Sequence, residues 1–420
     1  MNFRIASVLL LLGLAHSTAN AREIPISLVA VGDVNLNRTR VDVRPDGMYL
    51  WGKVVPFDKP LKKIKKFING DVNFCNLETT VMDRNDVKVS DKAYNFKCHP
   101  NAVRQLQKIG FNLFSIANNH VKDYGKQGYV ETRKWLDKLG KEKPLHYAGA
   151  GQNIAEASQP AIFKVQGVKV AFGAVSISTR AKKNRAGVAS VYTPEPALKA
   201  LREAKADIRI LSMHAGKEKD SKPVGQQLHV ARLAIAKYDV DIVIGHHAHV
   251  VQGIERYKDG LIMYGLGNFS MRGARNMGSV KEFRNERDFG LLARIKLIWN
   301  TRKKKLKFHK MTVLPVYDMH SGVHPFAKAA QAKRRVESVN KFSGKKYLGR
   351  KSNGLHFEFK DGVGVHRFGK TSAPDEGKGK GEGKGEGKGK GKGKGEGKGK
   401  GKGKGEGKGE EARKYPELPL

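Results

Sequence analysis

Acidic residues are scarce beside basic ones in this chain of 420 residues: 40 Asp+Glu stand against 80 Lys+Arg, a formal net charge of +40. Cysteine is nearly absent, with two in all, which excludes a disulfide-dense scaffold and a four-thiolate metal site. Beyond the N-terminus no long apolar run occurs, so a later spanning helix is not expected. The basic run 302–305 is not interleaved with aromatic side chains, which argues against a single-strand nucleic-acid platform. What is present suffices for a large core, since 39% of residues are hydrophobic, and wholesale disorder is excluded.

The N-terminus reads as a secretory signal. Arg4 supplies the positive start, residues 5–14 are apolar, and Ala19-Asn20-Ala21 fits a small-residue cleavage site. Ten apolar residues are too few for a bilayer core of about 30 Å. Residues 1–21 are therefore expected to leave, and the product to be secreted, periplasmic or extracellular, with no transmembrane segment after cleavage. At the other end, residues 377–410 alternate Gly with Lys or Glu. They contain nothing to bury and predict a disordered tail over 371–420. Residues 377–420 contribute +7, so +33 remains on the rest of the chain.

Between these ends, residues 22–370 read as one domain, with its motifs in 24–316 and an extension over 317–370. Strands are predicted at 26–31, 72–77, 113–116, 168–175, 208–213, 241–244 and 261–264. Helices are predicted at 61–68, 102–109, 130–139, 194–205 and 226–237. Thr193-Pro194-Glu195 suggests a Thr N-cap with Pro at the first helical position. Such alternation indicates an α/β layered fold. The stretches 289–299 and 305–316 predict antiparallel strands, followed by a basic helix and a strand pair at 355–359 and 363–368. Cys75 and Cys98 read either as small core residues or as a disulfide closing a loop of about two dozen residues, worth roughly 3 kcal/mol.

Polar residues gather after the strands. Asp33 follows the first, and Asn76 and Glu78 the second. Asn118, Asn119, His120 and Asp123 follow the third, and His214 ends a later one. Gly245-His246-His247-Ala248-His249 follows another, and Gly267-Asn268 the last. Ligands of open α/β sheets bind at such carboxyl ends. Imidazole with carboxylate, without thiolate, suits one or two divalent ions, with Mn, Zn or Fe plausible. Asp33, Glu78, Asn119, His214, His247 and His249 form the expected metal set. His120 is left to protonate a leaving group, Asp123 to orient its ring, and Arg38 to hold negative charge.

At these residues the sequence resembles the CapA-type poly-γ-glutamate capsule-synthesis proteins, which share a metallophosphoesterase-like fold. The matching stretches are Gly32-Asp33-Val34-Asn35 with Arg38, Asn76-Leu77-Glu78, Asn118-Asn119-His120 with Asp123, His214-Ala215-Gly216, the His246–His249 run, and Gly265-Leu266-Gly267-Asn268-Phe269. The resemblance implies a four-layer sandwich of two central β-sheets flanked by helices. It also implies work on the synthesis, export or anchoring of an anionic envelope polymer, either as a metal-dependent hydrolase or transferase or as a non-enzymatic assembly factor. Its implied partners are an anionic polymer or envelope surface and capsule-synthesis membrane proteins; nucleic acid is not expected. Departures are Asn35 where a ligand His is usual, Ala215 where Trp is usual, Ala248 for Pro and Gly265 for Ser. The Ala215 departure removes an aromatic wall from the expected cleft.

Overall fold

A computed structural model of the chain describes residues 22–37, 40–50, 52–272, 287–317 and 321–369. The expected signal segment, Arg38 and the Gly-Lys-Glu stretch lie outside the described residues. Strand β1 (Glu23–Asn35) is buried from Leu28 onward, and β2 (Val72–Leu77) along its whole length. Both are apolar nearly throughout, as strands covered on two faces must be. β3 (Leu113–Ser115) and β4 (His146–Ala148) continue the parallel series β1-β2-β3-β4.

The chain then builds a second sheet. Its strands are β5 (Ala161–Val165), β6 (Val168–Ser176), β7 (Ile208–His214), β8 (Ile242–His246), β9 (Ile254–Tyr257) and β10 (Gly260–Met263), in the order β5-β6-β7-β8-β10-β9. The four inner strands are parallel and the two edge strands antiparallel. Afterwards the chain returns to the first sheet with β11 (Asn268–Met271), β12 (Gly290–Asn300), β13 (Lys305–Tyr317), β14 (His324–Pro325), β15 (Glu358–Lys360) and β16 (Val363–Arg367). The described strands of this sheet run β15-β16-β13-β12-β1-β2-β3-β4, with β11 on β1 and β14 on β13.

Alternate residues of the second sheet face two different cores. Ile210, Ile244 and Met263 join Leu28, Ala30 and Phe74 of the first sheet in one buried cluster, where the Phe74 and Phe172 rings lie 5.7 Å apart. Leu211, Val243 and Ile262 join a second cluster with Leu198 and Leu201 of α4 (Glu195–Glu203) and Val230 and Ala234 of α5 (Gly225–Tyr238). The predicted strands and most predicted helices thus form, including helices at Pro100–Ile109 and Gly125–Glu142. The fold is mixed α/β.

Two local expectations are overturned, and the alternative left open for the cysteines is decided in favour of core residues. Residues 61–68 make two 3-10 turns, Lys59–Leu61 and Lys65–Phe67, in place of an α-helix. Buried Leu61 and Ile64 fall three residues apart, the repeat of that tighter helix. α4 starts at Glu195 with Pro194 at the N-cap and no side-chain cap, so Thr193 falls one residue outside the cap, where its hydroxyl accepts from the Arg180 guanidinium at 3.4 Å. Cys75 and Cys98 are free and buried, one in β2 and the other in a separate ribbon of Thr80–Val81 with Lys97–Cys98. Burial pushes both thiols up, Cys98 to about 12, so they stay protonated and inert.

Candidate metal centre

Two glycines let the strand ends converge. A Cβ on Gly32 would stand 1.7 Å from the Gly267 carbonyl oxygen, and one on Gly245 would stand 1.9 Å from that of Tyr264. The side chain that follows each glycine is therefore delivered at a point of close backbone approach. Asp33 donates its backbone N–H to the Gly267 carbonyl at 3.1 Å, just where β1 exchanges its neighbour β12 for β11 across a bulge. Downstream of Gly245, His247 and His249 take φ of +85° and +56°. Left-handed backbone at such residues costs on the order of 1–3 kcal/mol each and persists where the surroundings impose it. This turn aims the imidazoles inward.

Six side chains converge there. Asp33, Glu78 and His214 are fully buried, and His247 nearly so. His214 Nε2 lies 3.6 Å from Glu78 Oε1, 3.1 Å from His247 Nδ1 and 2.8 Å from Asn119 Oδ1. His249 Nδ1 lies 3.3 Å from Asp33 Oδ2, and its Nε2 lies 3.9 Å from Glu78 Oε1. Two groups of side chains could thus hold a metal ion: Glu78, His214 and His247, and Asp33, Glu78 and His249, with Glu78 common to both. Both Glu78 oxygens are buried without a hydrogen-bond partner. A carboxylate in that position is costly unless a cation meets it, so the residues fit a divalent ion.

The electrostatics follow from burial. Desolvation, and then the charge of Asp33, hold Glu78 well above the usual carboxylate range. Burial would also raise Asp33, but the hydrogen bond and charge of His249 win and hold it below that range. Desolvation opposes charge on His249 as well, yet Glu78 and Asp33 lift it to about 10. His246 and His247 are pushed down to about 4, chiefly by burial, and His214 well below its ordinary value. Neutral imidazoles are the form in which His ligates a metal.

His120 and Asp123 form a separate dyad beside the cluster. His120 Nδ1 is 2.6 Å from Asp123 Oδ2, its ring packs 4.2 Å from Phe96, and its Nε2 points to Glu78 Oε1 at 3.8 Å. Asp123 also accepts from Lys92 Nζ and from the Phe96 backbone N–H, both at 2.6 Å. Asn76 and Asn268 were expected at the strand ends but given no role there, and Lys92 was not expected at all. Asn76 Nδ2 donates to Asp33 Oδ1 at 2.8 Å and sits 3.1 Å from His214 Nδ1, and Asn268 Oδ1 faces His249 Nδ1 at 2.8 Å. Their position at strand ends was a usable signal; nothing in the sequence marks Lys92. His246 is buried with its Nδ1 3.7 Å from Asp33 Oδ1 and its ring 5.3 Å from Phe74. Asn35, at the departure from the ligand pattern, spends its amide on the carbonyls of Asn37 and Arg272 at 2.7 and 2.8 Å.

The chain is thus an α/β protein whose strand ends gather buried imidazoles and carboxylates in groups that could hold a metal ion. The sequence profile of the bacterial capsule synthesis protein family PGA_cap matches residues 27–272, a stretch that contains every side chain just described, and the chain belongs to that family. It is 32% identical over 261 residues to the capsule biosynthesis protein CapA of Bacillus anthracis, covering 58% of this chain and 59% of that protein. It is 33% identical over 223 residues to the PGA biosynthesis protein CapA of Bacillus subtilis, covering 51% and 56%. A probable polyglutamine synthesis accessory protein of Mycobacterium tuberculosis is 30% identical over 234 residues, covering 51% and 59%. The chain thus spans less than two thirds of the length of these curated relatives. Among the described residues no helix is long and apolar enough to cross a membrane.

Proposed function

We propose that the protein acts outside the cytoplasm on an anionic envelope polymer of the poly-γ-glutamate kind, as a metal-dependent hydrolase or transferase. The observation that carries this reading is the buried Glu78 carboxyl group, without a hydrogen-bond partner and shared by two imidazole-containing groups, with the His120–Asp123 dyad at its edge. The two sheets that share one core, with helices over the second, support the four-layer metallophosphoesterase-like arrangement. The signal segment supports secretion, and the family membership supports the polymer.

In this reading Asp33, Glu78, Asn119, His214, His247 and His249 hold one or two divalent ions. A bound ion supplies Lewis acidity toward an anionic substrate oxygen. The chain's own residues do the rest. Asp123 fixes the His120 ring through Nδ1, which leaves Nε2 facing the cluster. A proton on that atom is placed to pass to a leaving group. Lys92 and the Phe96 N–H hold the Asp123 carboxyl group in place, so the dyad keeps its geometry. Arg38, outside the described residues, keeps the role expected from the sequence, holding negative charge of the substrate.

A second reading, a polymer-binding assembly factor with a structural ion, is favoured by one observation: the Asn35 amide is committed to loop carbonyls and adds no ligand. The deciding measurement is metal content and turnover of phosphomonoesters, phosphodiesters and poly-γ-glutamate by wild type, Glu78→Gln and His120→Ala. The enzyme reading expects bound metal and turnover in wild type, little metal in Glu78→Gln, and full metal but no turnover in His120→Ala. Stoichiometric metal in Glu78→Gln would overturn the assignment of the centre. Metal-loaded wild type that binds polymer without cleaving or transferring it would establish the assembly role instead.

A further inference from the structure

Three cations stand side by side across neighbouring strands of the large sheet. Lys296 of β12 lies opposite Lys310 of β13, and Lys310 lies opposite Arg367 of β16. With strands about 4.8 Å apart, the three positions span roughly 10 Å in a straight row. Lys296 and Arg367 are exposed and Lys310 is half-buried. Directly opposed like charges destabilise a sheet, so this row opposes folding unless an anion meets it. Among the described residues, Lys310 faces the charges of Arg367, Lys296 and Lys360; burial first, and then these three, lower its pKa from the ordinary value. Two acids stand near the ends of the row: Glu358 is opposite Val365, two positions from Arg367 along β16, and Asp71 accepts from the hydroxyl of Ser27, the register partner of Lys296 on β1, at 2.6 Å.

The row lies on the face of the sheet turned away from α6 (Ala329–Ser343). The alternate positions are the covered ones: a Cβ on Gly364 would meet Val313 and Val336 of α6. On the row's own face, Arg294 donates to the Phe67 carbonyl at 2.9 Å. That contact joins the row to the turn Lys65–Phe67, whose Lys65 and Lys66 are exposed.

We propose that the Lys296–Lys310–Arg367 row is a docking surface for an extended polycarboxylate chain, of the kind a glutamate polymer presents. Three cations at strand spacing on a rigid sheet exceed what one carboxylate needs and suit a ligand with repeated negative charge. A lipid surface would need apolar anchors beside the charges, and none of the large exposed apolar residues among the described ones lies at these positions. The row is remote in sequence from the metal-centre motifs, so it adds grip on the polymer without chemistry. This inference rests on the polymer reading above.

The test uses the full chain, so that the Gly-Lys-Glu stretch is constant, with poly-γ-glutamate as one probe and phosphatidylglycerol vesicles as another. Lys296→Gln/Lys310→Gln/Arg367→Gln is expected to bind the polymer about tenfold more weakly at low salt, with a shallower salt dependence. Its thermal midpoint is expected to equal or exceed that of wild type, because repulsion is relieved, and its metal content to be unchanged. Lys310→Gln alone is expected to give a smaller loss in the same direction. Variants that bind polymer as wild type does would overturn the row and leave the polymer reading standing. Wild type that ignores the polymer would overturn both. A loss confined to vesicle binding would overturn the polymer assignment in favour of lipid.

Discussion

Glu78 and His249 face each other across 3.9 Å, both shifted toward the protonated form, and the cluster around them sets how stability depends on pH. His246 and His247 are held at about 4 in the folded chain against about 6.5 when unfolded, so the unfolded state binds more protons between these values. Their contribution is complete above about 6.5 and is lost as pH falls toward 4. His249 runs the other way: raised to about 10, it stabilises below about 6.5 and loses that contribution as pH climbs toward 10. The metal-free protein is therefore expected to show a thermal midpoint that declines on both sides of neutrality. His246→Asn should flatten the acid limb, a change readable by calorimetry at a series of pH values. Metal affinity should fall along the same acid limb, since protons and the ion compete for the imidazoles. The residues of this cluster were legible in the sequence because each follows an apolar strand, and three imidazoles in four positions are hard to explain otherwise. Lys92 was not, because its contact with Asp123 spans 31 residues and depends on how a loop folds back.

At the scale of elements, the strands were legible where both faces are covered, since β2 and β8 are buried along their whole length and show no strict apolar–polar alternation. The segment 61–68 was misread because its apolar residues fit two helical repeats, and tertiary packing selects the tighter one. β1 carries the most consequence per residue: it pairs with β12 along Glu23–Val31, with β2 on its other side, and with β11 from Asp33 onward. Gly32→Ala pushes a methyl into the Gly267 carbonyl at the point where these pairings change. A loss of about 1–3 kcal/mol is expected, the usual range for overpacking, with weaker metal binding because Asp33 shifts with the backbone. Urea unfolding and metal titration of the one variant check both. Asn35→His places a ring at the position where the sequence reading expected a ligand, but removes an amide that ties two loop carbonyls. It is expected to lower stability before it improves metal binding, and a variant that gains both would contradict the loop role given to Asn35.

For the molecule as a whole, the two cysteines report on integrity. Both are expected to resist a thiol reagent in the folded chain and to react together on unfolding, with two thiols counted in the unreduced protein. The C-terminal part of the described chain is built into the core: Phe342, Val339 and Phe357 are buried in the main cluster, and Arg335 pairs with Asp288 at 2.6 Å. A chain ended after Tyr317 leaves those contacts unmade, and is expected to be insoluble or to lose its cooperative thermal transition. β1 also has a consequence in time. Asp33 and its register partner Asn268 are separated by about 235 residues, so a chain that emerges N-terminus first presents this apolar strand long before its partner exists. At roughly 5–20 residues per second that wait is on the order of ten seconds or more. The first strand to appear is thus among the last to be fully paired. Any cell that makes this protein has to shield that edge from aggregation until the second half of the chain arrives.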